Sequence, residues 1–170
     1  MTRTADKVTI GYAEYVAFPE WGIPRLRAKT DTGARTSALH VDNIERLPRN
    51  RVRFEVVVAA NGRRVRVEAP IVRVSNVRSS NGVPDERFIV STTLQLGGVE
   101  KTIEVSLASR SGMIYRMLLG RRAIAQDFLV DPGRRYVASP PPKGKKKAPA
   151  RKKKKKVAKK KKKAPRRSVG

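Results

Sequence analysis

Leu26-Arg27-Ala28-Lys29-Thr30-Asp31-Thr32-Gly33-Ala34-Arg35-Thr36-Ser37-Ala38-Leu39-His40 decides how this chain is read. Leu26 to Thr30 alternates apolar and polar residues, the two-residue period of a strand with one buried face. Asp31-Thr32-Gly33 then interrupts it. Asp bonds to nearby backbone and Gly supplies positive φ, so the tripeptide is ordinary turn chemistry. At average residue frequencies Asp-Thr/Ser-Gly arises in roughly one of ten chains this long. What gives it weight is a second segment far downstream, Met117-Leu118-Leu119-Gly120-Arg121, an apolar run that ends in Gly-Arg.

The surrounding sequence reads as β. Thr102-Ile103-Glu104-Val105-Ser106-Leu107 alternates strictly, as does Arg64-Val65-Arg66-Val67-Glu68. Val52 to Val58 is β-branched and aromatic, and Asn61-Gly62 after it predicts a type I′ hairpin turn. Phe88 to Leu96 predicts a strand closed by Gly97-Gly98, with the next starting at Lys101. Val8 to Tyr15 and Arg25 to Lys29 predict shorter strands. Helix signals are confined to Arg121 to Gln126 and Asn43 to Leu47. Short strands punctuated by Gly, Asn and Pro predict an all-β domain, a small barrel or sandwich.

Composition narrows the chemistry. The chain has 170 residues, no Cys and one His, with 40 Lys+Arg against 14 Asp+Glu, a net charge of +26. Disulfides, thiol nucleophiles and Cys/His zinc sites are excluded, and a Ser-His-Asp triad would depend on His40 alone. His40 reads as a surface or hydrogen-bonded residue rather than a ligand, and no Gly-x-x-x-x-Gly-Lys phosphate loop occurs. No metal and no cofactor are expected. Met1 to Lys7 is polar without an apolar h-region, and no run nears the roughly 18 apolar residues of a span, so a cytoplasmic protein is expected, with no membrane partner.

Charge divides the chain. Residues 138–170 hold 17 of the 40 basic residues and no acid, leaving 23 bases against 14 acids, a net +9, in residues 1–137. The expected organisation is a flexible N-terminus over 1–7, one domain over 8–137 and a disordered basic tail over 138–170. Ser139-Pro140-Pro141-Pro142 reads as a stiff spacer. Beyond it lie Lys152, Lys153, Lys154, Lys155 and Lys156, then Lys159, Lys160, Lys161, Lys162 and Lys163. Such runs bind DNA or RNA phosphates without sequence preference, and the tail has no aromatic residue for base stacking. In composition it resembles the tails of histone H1-like bacterial proteins. Nucleoid or ribosome association is the matching location; a merely solubilising tail is the plainer alternative.

Taken with the paired segments, the chain resembles the retropepsin-like aspartic peptidases, the family of retroviral proteases. It is similar above all to a bacterial branch often labelled ATP-dependent zinc proteases and associated with RimK-type ATP-grasp ligases, which add glutamates to a ribosomal protein. Ala28 to His40 carries this resemblance, with Ser80-Asn81-Gly82, Arg87, Ser109-Arg110-Ser111, Met113, Tyr115, Leu118-Leu119-Gly120-Arg121-Arg122-Ala123 and Phe128 to Asp131. It covers roughly Val8 to Tyr136. The resemblance implies a small closed β-barrel with one short C-terminal helix. It implies an aspartic endopeptidase with Asp31, Thr32 and Gly33 catalytic and Ala34, Leu119, Gly120 and Arg121 as support. With one Asp-Thr-Gly per chain, the second Asp must come from a second copy, so a homodimer is expected. A flap is expected over Ser75 to Arg87.

One departure matters. Many retroviral enzymes carry an acid two residues after the Gly, paired with the Arg of Gly-Arg; here that position is Arg35. Arg35, Arg87 and Arg110 are expected to line a basic cleft for an acidic peptide, and a RimK-type ligase is an expected partner. Two rival readings stand beside this one: a catalytically silent barrel that binds a partner, and the zinc-dependent protease of the family label. Smaller features read plainly. Ser109 to Gly112 is a turn before it is an anion loop, Trp21 packs on the barrel with Phe18, and Asp127 and Asp131 take turn or strand-end roles.

Overall fold

A computed structural model describes residues 6–58, 62–78, 84–109 and 112–140. The strands are β1 Val8–Gly11, β2 Ala13–Phe18, β3 Ile23–Thr30, β4 Ser37–Leu47, β5 Arg51–Val57, β6 Arg64–Pro70, β7 Arg73–Arg78, β8 Pro84–Leu96, β9 Val99–Ala108, β10 Met117–Leu119 and β11 Phe128–Asp131. Among the described residues the one α-helix is α1, Arg121–Ile124, and Pro19–Trp21 forms a single 3₁₀ turn.

Strands β10, β3, β2, β8, β9 and β4 pair in that order, and β4 returns to β10, so six strands close a barrel. β5 and β6 extend from β4, β7 folds back on β8, and β1 pairs in parallel with β11. Closure leaves none of those six strands with a free edge. The inward positions fill the barrel: Leu26, Leu39, Val90, Val105, Leu107 and Met117 are all buried. Trp21 closes one flank, with Phe18 at 5.2 Å and Phe54 edge-on at 5.5 Å, so it packs rather than projects. No helix is long and apolar enough to cross a membrane among the described residues.

The expected all-β barrel with one short helix is what the chain forms. Three local expectations change. Asn43 to Leu47, read as helical, is the end of β4: Glu45, Arg46 and Leu47 pair with Arg53, Val52 and Arg51 across a bulge, with Asn43 at φ 51°. Five residues cannot sustain a helix alone, whereas pairing with β5 satisfies their backbone groups. Val8 to Tyr15 is two strands broken at Tyr12, whose N–H bonds to the Arg134 carbonyl at 2.8 Å. A turn centred on Asn61-Gly62 would pair Val58 with Val65; instead Val56 pairs with Val65. Residues 59–61 lie outside the described ones.

Residues 138–140, assigned to the tail from sequence, are packed on the barrel. Glu14, fully buried on β2, accepts hydrogen bonds from the N–H groups of Gly11 at 2.7 Å, Val137 at 2.8 Å, Ser139 at 3.0 Å and Ala138 at 3.2 Å. The Ser139 hydroxyl is a fifth donor. Arg25 stacks on Tyr15 and donates to the Pro140 carbonyl at 2.7 Å. The remaining tail, 141–170, lies outside the described residues.

Candidate active site

β3 delivers Asp31 to the end of the barrel, where its N–H donates to the Leu119 carbonyl at 2.9 Å. Asp31 Oδ1 accepts the N–H groups of Gly33 and Ala34, both at 3.1 Å. This turn fixes the carboxyl plane, and Oδ2 has no protein partner among the described residues. The loop is locked from behind by β10, which runs between β3 in parallel and β4 in antiparallel, Leu118 sitting opposite both Lys29 and Ala38.

The Gly120 N–H donates to the buried Ser37 hydroxyl at 3.1 Å. A Cβ at Gly120 would lie 2.6 Å from the Thr36 carbonyl carbon and 2.9 Å from the Ser37 nitrogen, both backbone. Gly120→Ala is therefore expected to cost roughly 1–3 kcal/mol by overpacking and to lower the thermal midpoint; a midpoint equal to wild type would show that β10 and the loop can part freely. Arg121 has no acidic partner among the described residues. Its Nη1 instead bonds to the carbonyls of Thr32 at 3.0 Å and Gly33 at 2.9 Å, and its N–H bonds to the Ala34 carbonyl at 2.8 Å. Thr32 and Gly33 themselves are exposed.

Two clefts flank Leu118. One, of about 550 Å³, is lined by Asp31, Thr32, Met113, Ile114 and Tyr115, with Asp31 its one carboxylate. The other, of about 440 Å³, is lined by Arg35, Arg73, Ser75 and Arg87. Arg87 pairs with Asp85 at 2.8 Å, and Arg73 shares Glu104 with Arg122. Arg35 has no ion pair among the described residues. The fold thus brings together Arg35 and Arg87 of the expected basic set; Arg110 lies outside the described residues, as do the lysine runs. Arg73 was not anticipated. Its signal was available: Ser75 lies opposite Arg87 in the β7–β8 pairing, and the two-residue period puts Arg73 on the same face. The arms of that hairpin contain the described part of the stretch where a flap was expected, Ser75 to Arg87; residues 79–83 lie outside the described ones.

His40 is buried on β4, with Nε2 3.6 Å from Asp42 Oδ1. Among the described residues no three His, Cys, Asp or Glu side chains gather, so the donor set does not fit a zinc centre there. Asp127 pairs with Lys101, and Asp131 with Arg134 at 2.6 Å, which gives each acid a separate structural partner.

Comparisons with known proteins place the chain in a family. A curated protein of Shewanella pealeana, named a probable alpha-L-glutamate ligase, is 40% identical over 136 residues, covering 77% of this chain and 30% of its own length. A protein of the same name from Desulfotalea psychrophila is 37% identical over 137 residues, covering 78% and 30%. The chain thus spans about 30% of the length of these relatives. The crystal structure of Lpg0085, a Legionella pneumophila protein described as of unknown function, superposes with TM-score 0.66 at 28% identity over 78% of this chain and 99% of that one. A family model described as the RimB-like retropepsin-like aspartic endopeptidases matches residues 9–141. With Asp31 held on a loop that β10 crosses from behind, the chain belongs to that RimB-like family.

Proposed function

We propose that the protein is an aspartic endopeptidase that works as a homodimer. The observation that carries this reading is that Asp31 is the one carboxylate lining its cleft, on a loop that Leu119 and Arg121 hold from behind. Two such carboxylates about 3 Å apart share one proton, because both cannot ionise together. The ionised member takes a proton from water as that water attacks the peptide carbonyl. The protonated member donates to the carbonyl oxygen, and the proton taken from water then passes to the peptide nitrogen as the C–N bond breaks and the amine leaves. Thr32 of each copy ties the two loops across the axis, and the β7–β8 hairpin closes over the substrate. Each step uses this chain's own residues.

Acidic peptides are the substrate class the reading favours. Arg35, Arg73 and Arg87 converge beside the Asp31 loop, and the relatives are named for glutamate ligation. Purified protein is expected to cleave glutamate-rich peptides in preference to neutral ones of equal length. Arg35→Ala, Arg73→Ala or Arg87→Ala is each expected to lower kcat/KM for the acidic peptide by roughly 10–100-fold, the worth of one charge-assisted hydrogen bond. Equal cleavage of acidic and neutral peptides sinks the preference.

The lysine runs tether the enzyme to nucleic acid, with binding that weakens steeply as salt rises. A second reading draws on the relatives' name: a silent barrel that docks onto a glutamate ligase. It requires Asp31→Asn to leave every effect on the ligase intact, whereas the peptidase reading requires that variant to be inert.

A further inference from the structure

On β5 and β6 the arginines are matched with acids. Arg53 pairs with Glu45 and Glu68, Arg64 with Asp42, and Arg66 with Glu55. The outer face of β3 departs from that rule. Arg25, Arg27 and Lys29 alternate with the buried Leu26 and Ala28, so all three point away from the core. None of the three has an ion pair among the described residues. Glu14 is buried on the opposite face of β2, and Glu100, which shares a cleft with Arg25, bonds to Gln95 instead.

Three half-buried tyrosines stand among these cations. Tyr15 lies opposite Arg27 in the β2–β3 pairing and carries the Arg25 guanidinium 3.8 Å from its ring centre. Tyr136 stacks on Tyr15 at 4.8 Å, with Arg135 5.5 Å from its own ring. Tyr115 lies 5.1 Å from the Arg27 guanidinium, which also donates to its hydroxyl. The rings of Tyr15 and Tyr136 are thus occupied within the chain, which leaves little open face for stacked bases. What the surface offers is positive charge and phenol hydroxyls, the partners of oxygen anions.

This face runs into the Asp31 cleft. Lys29 and Tyr115 line that cleft together with Asp31. Arg25 to Lys29 spans roughly 13 Å of β3. A peptide laid extended over the strand has the same two-residue period, so acids at alternate positions meet Arg25, Arg27 and Lys29 in turn.

We infer that the outer face of β3 is a second binding site, which holds the acidic chain of the substrate beyond the scissile bond. This rests on the peptidase reading of the Asp31 cleft and extends it. Arg35, Arg73 and Arg87 meet acids on one side of Leu118, and β3 meets them on the other. Tight binding then needs a run of acids that reaches Arg25, six residues from Asp31 along the chain, rather than one or two acids beside the cut.

The test is fluorescence anisotropy with labelled decaglutamate. The protein is the full-length chain carrying Asp31→Asn, so that the probe is not cut, and Lys→Gln at 152–156 and 159–163, so that the tail does not compete. Each exposed charge pair contributes about two- to fivefold. Arg27→Gln combined with Lys29→Gln is therefore expected to weaken binding by roughly tenfold. Lys29→Gln alone, which loses no ion pair within the chain, is expected to weaken it by about two- to fivefold. Arg66→Gln, an equal loss of charge on β6, leaves binding unchanged. Decaglutamate affinity that falls equally in the Arg66 and β3 variants, or in neither, overturns the site; continued cleavage of acidic peptides by wild type would then keep the peptidase reading. A ten-nucleotide RNA that binds more tightly than decaglutamate, and loses more in the β3 variant, overturns the acidic-peptide assignment in favour of RNA. Binding that depends on Arg27 and Lys29, in a protein whose wild type cleaves no acidic peptide, supports the site and removes the peptidase reading.

Discussion

Asp31→Asn is expected to lower peptide hydrolysis by on the order of 10³-fold or more while leaving the barrel folded. Asparagine preserves the shape of the carboxyl and can still accept the Gly33 and Ala34 amides through its oxygen, so the loop survives. What is lost is the exchangeable proton of the dyad. A pair of amides neither takes a proton from water nor donates one to the scissile carbonyl. The thermal midpoint of the variant separates lost chemistry from lost fold. Mixing separates dimer from monomer. When equal amounts of wild type and variant exchange subunits freely, only about a quarter of the dimers carry two intact aspartates, against half the chains if one chain sufficed. Activity near one quarter of an equal total of wild type supports the shared dyad. Activity near one half, or a fully active Asp31→Asn, removes the aspartic mechanism.

The strands that line the barrel were legible wherever one face meets the core and the other meets water. Thr102 to Leu107 alternates because Ile103, Val105 and Leu107 point inward. The Asp31 loop was legible as well, since Asp-Thr-Gly and Leu-Leu-Gly-Arg are local signals whose juxtaposition the fold only completes. Features made by distant partners were not. Ser37 looks like any strand serine until Gly120, 83 residues later, donates to its hydroxyl. Asn43 to Leu47 has acceptable helix formers, and only pairing with β5 makes it a strand. Arg121 showed in the sequence that it had lost its usual acidic partner. Its replacement by the Thr32 and Gly33 carbonyls is a matter of three-dimensional reach, invisible at a spacing of 88 and 89 residues.

Glu14 is the strongest case of that kind. Its largest expected effect is on stability, because its partners at 137–139 close the barrel's C-terminal wrap. Burial alone would raise its pKa. The hydrogen bonds from Gly11, the Ser139 hydroxyl, Ala138 and Val137 outweigh burial and hold it below the ordinary 4.5. A carboxyl that titrates lower in the folded chain than in the unfolded one binds fewer protons when folded. Its stabilising contribution is therefore complete above about pH 4.5 and is lost as pH falls through that value toward the depressed one. Glu14→Gln tests both aspects. The amide turns an NH₂ group toward backbone donors and removes the charge. Each charge-assisted bond contributes about 1.5–3 kcal/mol, so losing two of them destabilises by roughly 3–6 kcal/mol. For a domain of this size that lowers the midpoint by roughly 10–15 °C. The variant should also flatten the acid limb of the stability–pH curve, because an amide does not titrate. A Glu14→Gln protein that melts within about 2 °C of wild type and keeps the same slope between pH 3 and pH 5 would mean that the wrap is held by Arg25 and the Tyr15–Tyr136 stack instead.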